Sequence, residues 1–539
     1  MFALRLAPSV HCPPLPPRIG SFCTRFYVPA VSPFYIWDVE WVERRARRSS
    51  KMMSGFATVE QSGLSDRPHI IYHLADDLGH FNVGFSNNPE ARTPNLDALV
   101  AAGVKLDHHY AFKYCSPTRS SLLSGRLPLH VNTANRKAAE AGGIDMRMTT
   151  IAAKLKAVGY STFHVGKWHA GAHASGQLPV HVGFDGSLGY LGGAEGHYNQ
   201  REGNDGLLSE PVDLFLDGAP AYGRNGTYGA FLYSAYVARV IRAHDPAKPL
   251  FVFMAWQEAH VPNEVPDEFT DGTIDFPLRR TYEGMVHCLD SGVGNVTAAL
   301  KAKGMYNHTL IVFSADNGGP IHHGVHAFGA NNFPLRGQKF SDFEGGTRVV
   351  AFVSGGFLPR AVRGTTHTDG PMHICDWYAT FCALAGCDPS DDADGVPPPD
   401  SLNLWGALSA RGVPSPRTAV PLSDSAHVRW PYKLVLGRQG GLGFWTGRLQ
   451  PNGTALVDDD PGCPDLGCLF DLLADPGEHH DLAPTMPKLR AKLTAELHAV
   501  LATAFQTGDN CCPGFTKCTT QDAYVAAHQG FLGPVCEKP

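Results

Sequence analysis

Four short apolar runs, each ending in a polar cluster, constrain the fold of this 539-residue chain more than any other feature. Ile70-Ile71-Tyr72-His73-Leu74 leads into Ala75-Asp76-Asp77-Leu78-Gly79, and Ser161-Thr162-Phe163-His164-Val165 into Gly166-Lys167-Trp168-His169. Leu250-Phe251-Val252-Phe253-Met254 is followed by Gln257 and His260, and Leu310-Ile311-Val312-Phe313 by Asp316-Asn317-Gly318-Gly319. Continuous apolar runs of this length suit strands buried on both faces. Helical patterns over residues 94–102, 150–158, 282–303 and 373–385 are interspersed with them. The alternation predicts an α/β fold with a large, mostly parallel central sheet flanked by helices. In such sheets ligands bind beyond the carboxyl ends of the strands, where all four clusters fall. A single Asp-Asp-Leu-Gly would as readily be a turn. Four clusters at one relative place argue for a site.

Beyond residue 410 the texture changes. Lys433-Leu434-Val435-Leu436, Gly-rich turns, Cys468-Leu469-Phe470-Asp471-Leu472 and a helical pattern over 488–505 predict a smaller C-terminal α+β domain containing an antiparallel sheet. Pro-rich stretches at 395–400 and 414–416 bracket a hinge. The expected division is an N-terminal extension at 1–66, a catalytic domain at 67–410 and the smaller domain at 411–539. The extension is Pro-rich, carries Arg44-Arg45-Ala46-Arg47-Arg48 and has no clean apolar core with a cleavage site, so its role is left open. No stretch approaches the ~18 apolar residues of a membrane span.

A net charge of -6 argues against bulk nucleic-acid binding, so an anionic substrate needs a local cluster of cations. Thirteen cysteines, with Cys463, Cys468, Cys511, Cys512, Cys518 and Cys536 close together near the end, suit disulfides in an oxidising compartment. The sequons at Asn225, Asn295, Asn307 and Asn452 point the same way. The expected location is the secretory pathway, lysosomal or extracellular.

Tyr114-Cys115-Ser116-Pro117-Thr118-Arg119, continuing to Leu122-Leu123-Ser124-Gly125-Arg126, carries the densest local signal. Ser116 is read as an N-cap, Pro117 as the first helical residue and Gly125 as the stop. Cys115 then lies before a helix N-terminus, which favours an anion, and Arg119 sits one turn in. A buried structural cysteine is the plain alternative. A thiolate phosphatase needs a longer loop than the four-residue step from Cys115 to Arg119.

Cys-x-Pro-x-Arg with its trailing Leu-Leu-Ser-Gly-Arg resembles the signature of the type I sulfatases, in which the cysteine is oxidised to formylglycine. Asp76-Asp77, Gly166-Lys167-Trp168-His169, Asp316-Asn317-Gly318-Gly319 and Pro334-Leu335-Arg336-Gly337-Gln338-Lys339 match in order, so the resemblance runs from Pro68 to about Pro484. Residues 293–300, Glu344-Gly345-Gly346 and Asp475-Pro476-Gly477-Glu478 look most like the arylsulfatase B branch. The resemblance implies a sulfatase fold and hydrolysis of O-sulfate esters, aryl sulfates and sulfated sugars such as N-acetylgalactosamine 4-sulfate. It also implies a formylglycine-generating enzyme as a maturation partner, and a divalent cation, Ca²⁺ or else Mg²⁺, held by Asp76, Asp77, Asp316, Asn317 and the modified Cys115. Independently, three carboxylates and an amide form an all-oxygen set that suits those cations.

By the same resemblance, Arg119 orients the hydrated formylglycine, Asp316 helps activate it, and Lys167, Lys339 and His260 hold the sulfate oxygens. His260, with Lys339, protonates the leaving alcohol, and His169 takes a proton from the second hydroxyl. His322, His323 and His326 are expected to be solvated or substrate-facing rather than metal ligands, and His479-His480 to form a surface turn. A serine that many family members carry near the sulfate is replaced around Gly193-Ala194, which bears on pocket specificity. A phosphomonoester or phosphonate hydrolase on the same scaffold and an inactive sulfatase-like binding protein are the alternatives.

Overall fold

The computed structural model describes residues 67–538 except 136, 204–209, 225, 324, 325, 453–461, 509 and 510, with backbone alone at 323, 326 and 327. The extension at 1–66 and the sequon at Asn225 lie outside the described residues. In chain order the main sheet contains β1 (His69–Ala75), β2 (Val104–Leu106), β3 (Ser161–Lys167), β4 (Gly186–Tyr190), β5 (Phe215–Leu216), β6 (Ala219–Pro220), β7 (Leu250–Ala255), β8 (Thr309–Ala315), β9 (Ala351–Ser354) and β10 (Thr365–His367). Across the sheet they run β10-β2-β9-β8-β1-β7-β3-β4-β5-β6.

The central strands β8, β1, β7, β3 and β4 are all parallel, whereas β9 on one flank and β5 and β6 on the other pair antiparallel. Burial explains the centre: β1, β7 and β8 are buried at every residue, as their unbroken apolar runs require. In register, Ile71 lies between Val252 and Ile311. The flanking helices include α1 (Pro94–Ala101), α2 (Cys115–Ser124), α3 (Ile151–Ala157), α4 (Gly229–Ala243), α5 (Pro277–Ala302) and α6 (Asp376–Ala385). α5 starts five residues before its sequence pattern does, because Pro277 is a ready first helical residue.

The start of α2 corrects the sequence reading. The helix begins at Cys115, after an extended Tyr114 with φ -164° and ψ 171°, and no side chain caps it. Ser116 is inside the first turn, where its Oγ accepts from Asn132 Nδ2 at 3.0 Å. Its hydroxyl is spent on a neighbouring loop, and Pro117 is tolerated because first-turn N–H groups have no intrahelical partner. The stop is as expected: Gly125 takes φ 71°, and a Cβ there would lie 2.6 Å from the Tyr378 ring.

The C-terminal sheet consists of β11 (Ala419–Pro421), β12 (Ala426–Arg429), β13 (Tyr432–Val435) and β14 (Cys468–Asp471), antiparallel throughout. Alternation sends Val435 and Phe470 toward a core shared with Tyr110 and Phe343, and Leu434 and Leu469 toward α7 (Pro487–Leu501), which buries Leu493 and Leu497. Through the first face passes a buried ionic group. Lys433 Nζ lies 2.9 Å from Glu344 Oε1 and 3.0 Å from Glu478 Oε1, while Tyr110 donates to Glu344 at 3.0 Å. The Glu344 N–H donates to Glu478 Oε2 at 2.7 Å, so the small sheet is tied to the segment that follows Lys339.

Disulfides join Cys463 to Cys468, Cys511 to Cys512 and Cys518 to Cys536. Cys115, Cys288, Cys375, Cys382 and Cys387 are free thiols. Among the described residues no helix is long and apolar enough to cross a membrane.

Candidate active site

The parallel strands deliver their polar ends side by side. In sheet order, β8 ends at Asp316 and Asn317, β1 at Asp76 and Asp77, β7 leads to His260, β3 ends in Lys167 with His169 just beyond, and β4 leads to Gly193 and Ala194. Lys339 enters from the segment between β8 and β9, and α2 supplies Cys115 and Arg119. Asp76, Asp77, Arg119, Lys167, Asp316 and Asn317 are 0–1% exposed, and His169, His260 and Lys339 5% each, so what little opening there is lies on the side of these three.

The Asp76 backbone N–H donates to Glu258 O at 2.9 Å, locking the ends of β1 and β7 together. Asp77 turns sharply away with φ 57°, and Tyr282 OH donates to its carbonyl at 2.5 Å. A left-handed aspartate of this kind is costly and persists only where its surroundings over-determine it.

Each carboxylate meets a cation. Lys167 Nζ is 2.5 Å from Asp76 Oδ2, Lys339 Nζ is 2.6 Å from Asp77 Oδ1, and Arg119 Nη2 is 2.7 Å from Asp316 Oδ2. Burial alone would raise Asp77, but Lys339, His260 and Lys167 bring its carboxyl down to about 2. Asp316 is pushed up to about 6 by burial and by the charge of Asp76, against Arg119 and Lys167. His260 falls to about 3 through burial and the charges of Lys167 and Lys339. Its Nδ1 contacts Val261 O at 2.8 Å, which leaves Nε2 facing Asp77 Oδ2 at 3.6 Å.

Cys115 Sγ lies 3.5 Å from Asp76 Oδ1. Burial, then Asp316 and Asp76, hold its thiol far above the usual range, so it is a neutral thiol and a poor thiolate nucleophile. The environment agrees with the Cys–Arg spacing in arguing against phosphatase chemistry of that kind.

The donor set fits a hard divalent cation. Ligand atoms of Asp76, Asp77, Cys115 and His260 lie within 4.8 Å of one another. Asn317 Nδ2 donates to Asp77 Oδ1 at 2.8 Å, while its Oδ1 is buried with no hydrogen-bond partner. A buried amide carbonyl left unmatched costs about 1–3 kcal/mol. The clustered ligand atoms include two carboxylates, and Asp316 lies outside that group, its Oδ1 accepting from the Asp77 N–H at 3.2 Å. Asp76 and Asp77 beside the spare Asn317 carbonyl are the oxygen donors that could hold a divalent cation.

His169 has φ 45°, and its backbone N–H donates to Leu191 O at 3.2 Å. A Cβ on Gly193 would come within 3.1 Å of its ring, so Gly193 lies against His169. His322 stacks on Phe444 with centroids 4.9 Å apart, and the side chains of His323 and His326 lie outside the described residues. Among the described residues no metal-ligating group includes His322, and His479 and His480 are exposed.

Sequence reasoning singled out Gln257 but missed the buried layer behind His260 to which it belongs. Gln257 and Glu258 are both fully buried, and Gln257 Nε2 donates to Glu195 O at 2.5 Å. His197 Nε2 lies 3.1 Å from the His260 carbonyl oxygen and Nδ1 3.5 Å from Glu258 Oε1. Glu195 accepts from Tyr233 OH, and burial holds its carboxyl well above the usual range. The only local clue was Gln257-Glu258 beside His260, since a Glu in a Gly-rich turn otherwise looks like surface.

The Sulfatase family model matches residues 68–387. The chain is similar to arylsulfatase J of Mus musculus, 32% identical over 480 residues that cover 82% of this chain and 77% of that one. It is also similar to arylsulfatase A of Homo sapiens, 29% identical over 456 residues that cover 77% and 83%. Among solved structures, Ps i-CgsB in complex with k-i-k-neocarrahexaose superposes with a TM-score of 0.67 and 27% identity, over 82% of this chain and 94% of that one.

Proposed function

Because the chain belongs to the sulfatase family and is a sulfuric ester hydrolase, we propose that it cleaves O-sulfate esters at Cys115 after oxidation of that thiol to formylglycine. The observation that carries this reading is the placement of a neutral, buried Cys115 3.5 Å from Asp76 at the start of α2, among Arg119, Lys167, Lys339 and His260. A thiol so placed serves poorly as a nucleophile, but its oxidised form would stand where a sulfuryl group meets cations on several sides.

Asp76, Asp77, Asp316 and Asn317, with the side chain at 115, would hold a divalent cation, Ca²⁺ or Mg²⁺. Bound there, the ion would polarise the sulfate and lower the charge repulsion among the acids. Hydrated formylglycine carries two hydroxyls, one to take the sulfuryl group and one to expel it by elimination, which a serine could not do.

Arg119, fixed by two nitrogens on Asp316 Oδ2 at 3.1 and 2.7 Å, holds the base of α2 and orients the side chain at 115. Asp316, held by Arg119 beside the start of α2, is placed to accept a proton from the attacking hydroxyl. Lys167 and Lys339 exchange part of their contact with Asp76 and Asp77 for the sulfate oxygens. His260 presents Nε2 to the leaving-group oxygen. Its Nδ1 holds the single ring proton on the Val261 carbonyl. His260 therefore protonates the leaving oxygen, sparing a bare alkoxide, only after taking up a second proton at Nε2 beside the bound anionic ester. His169, just past the neighbouring strand β3, takes the proton whose loss releases sulfate.

The natural substrate in this reading is a sulfated saccharide, N-acetylgalactosamine 4-sulfate being one example. The likeness to arylsulfatase B motifs and the oligosaccharide-bound structural neighbour support that choice. A secretory location is supported by the three disulfides and by the exposure of Asn295, Asn307 and Asn452.

Mass spectrometry of the peptide spanning residue 115, from protein co-expressed with a formylglycine-generating enzyme, is expected to show the aldehyde in place of the thiol. Matched aryl sulfate and aryl phosphate then test the anion, with kcat/KM expected to favour sulfate. An unmodified cysteine in fully active protein, or a preference for phosphate, refutes the reading.

A further inference from the structure

The residues placed around Cys115 account for the charged part of a substrate and not for its carbon skeleton. One residue beside the pocket combines an exposed aromatic ring with a left-handed backbone. Phe340 follows Lys339 directly, is 41% exposed and adopts φ 73°. A bulky side chain in the left-handed region is a genuine outlier, and exposure of the ring forgoes much of what burial would return. The conformation is held from outside: the Phe340 N–H donates to Lys113 O at 2.7 Å, and Lys113 is anchored on the buried Asp342 at 2.7 Å.

This backbone turn presents the ring to the pocket. Lys339 Nζ, itself 2.6 Å from Asp77, lies 5.4 Å from the Phe340 centroid. The ring of Tyr114, the residue before Cys115, is 5.6 Å away at an interplanar angle of 41°. Phe340 therefore connects the two segments that carry Cys115 and Lys339, on the side of the pocket where Lys339 reaches solvent.

We propose that Phe340, flanked by Tyr114, forms the aromatic wall of a leaving-group subsite that stacks against the apolar C–H face of a sulfated pyranose ring. The proposal rests on the sulfatase reading and adds to it the part of the substrate beyond the sulfate. The cations bind the ester oxygens, and the phenyl face sets the tilt of the ring so that the ester oxygen faces His260. Phe340 is a specificity residue and takes no part in proton transfer.

The test compares wild type, Phe340→Ala, Phe340→Trp and Phe340→Gly as formylglycine-bearing full-length proteins, with N-acetylgalactosamine 4-sulfate, 4-nitrophenyl sulfate and inorganic sulfate as probes. For Phe340→Ala, KM for the sulfated sugar is expected to rise about tenfold, the size of one lost ring contact, with a smaller fall in kcat. Inhibition by inorganic sulfate should stay within twofold, since the anion contacts are intact. Phe340→Trp should restore the sugar KM, and Phe340→Gly should raise the melting temperature while losing sugar affinity, because glycine relieves the backbone. An unchanged KM in Phe340→Ala, a parallel weakening of sulfate inhibition, or a lower melting temperature in Phe340→Gly overturns the proposal. A wild type that cleaves the aryl sulfate but not the sugar removes the pyranose assignment and leaves the sulfatase reading standing. Inactivity toward both removes both.

Discussion

Two buried clusters of acids and cations lie in different parts of this molecule, and they are built to opposite ends. At the junction with the small sheet, Lys433 sits between Glu344 and Glu478, and Tyr110 and a backbone N–H take up further oxygens. The charges of that group are met within it: even Glu478 Oε1, which has no hydrogen bond, faces Lys433 Nζ at 3.0 Å. At the ends of the parallel strands, Asp76, Asp77 and Asp316 each hold one of Lys167, Lys339 and Arg119, yet Asn317 Oδ1 is left without a hydrogen-bond partner and three of the polar side chains reach toward solvent. Both clusters carry a desolvation cost. The first returns it as a fixed join between two sheets, and the second keeps its cations on partners that a ligand can share. A buried ion cluster is therefore diagnostic of function only when it has unsatisfied capacity.

The largest expected effect breaks the active cluster chemically. Cys115→Ala is expected to lower aryl sulfate hydrolysis by about 10⁴-fold or more, as loss of a nucleophile does, while the thermal melt shows the fold intact. Wild-type turnover in that variant would remove the pocket's claim to be the functional cluster.

Breaking the structural cluster should invert the pattern. Lys433→Met leaves the buried Glu478 without its cation and Glu344 with only Arg348 Nη1 at 3.7 Å, a loss of about 3–5 kcal/mol in denaturant unfolding. Turnover per folded molecule should stay near wild type. A collapse of kcat without loss of stability would show that the join shapes Lys339 directly.

A chelator sharpens the contrast. If the spare oxygens hold Ca²⁺, EGTA should lower the melting temperature and added calcium restore it. The expected stabilisation is about 2.7 kcal/mol for an ion at a hundred times its Kd. Lys433→Met should retain that shift because Lys433 is not among the residues that would hold the ion; a melt insensitive to both chelator and calcium dismisses the cation.

The smallest effect is the pH response of the closed cluster. Burial first, then repulsion from Glu344, pushes Glu478 up from 4.5 to about 7 despite Lys433. Between those values the folded chain holds a proton that the unfolded chain has lost, so stability falls as pH rises through the window. The fall should be on the order of 1–3 kcal/mol, and Glu478→Gln should flatten it in melts from pH 4.5 to 7.5. An equal slope in both proteins would assign the response elsewhere.

How much of this was legible beforehand depended on sequence distance. Asp76, Asp77, Lys167, Asp316 and Asn317 could be placed at strand ends because chain continuity puts a polar residue immediately after an apolar run at the edge of a sheet. The start of α2 could not, since whether Ser116 caps the helix depends on Asn132, and that contact is set by the tertiary fold. Glu195 and Glu258 were invisible for a related reason. A carboxylate near a turn carries no local mark of burial, and only the packing of Tyr233 and His197 around them shows it.

From the amino-acid sequence alone follow the α/β architecture, the small antiparallel sheet and the identity of the polar groups at the strand ends, because these rest on apolar period and on neighbours along the chain. Three-dimensional packing alone decided that Gly193 lies against His169, that Phe340 turns its ring outward and that Lys433 closes the join. Each of those depends on residues brought together from distant segments, at separations where a few ångströms decide whether two groups interact, and no local pattern encodes such a distance.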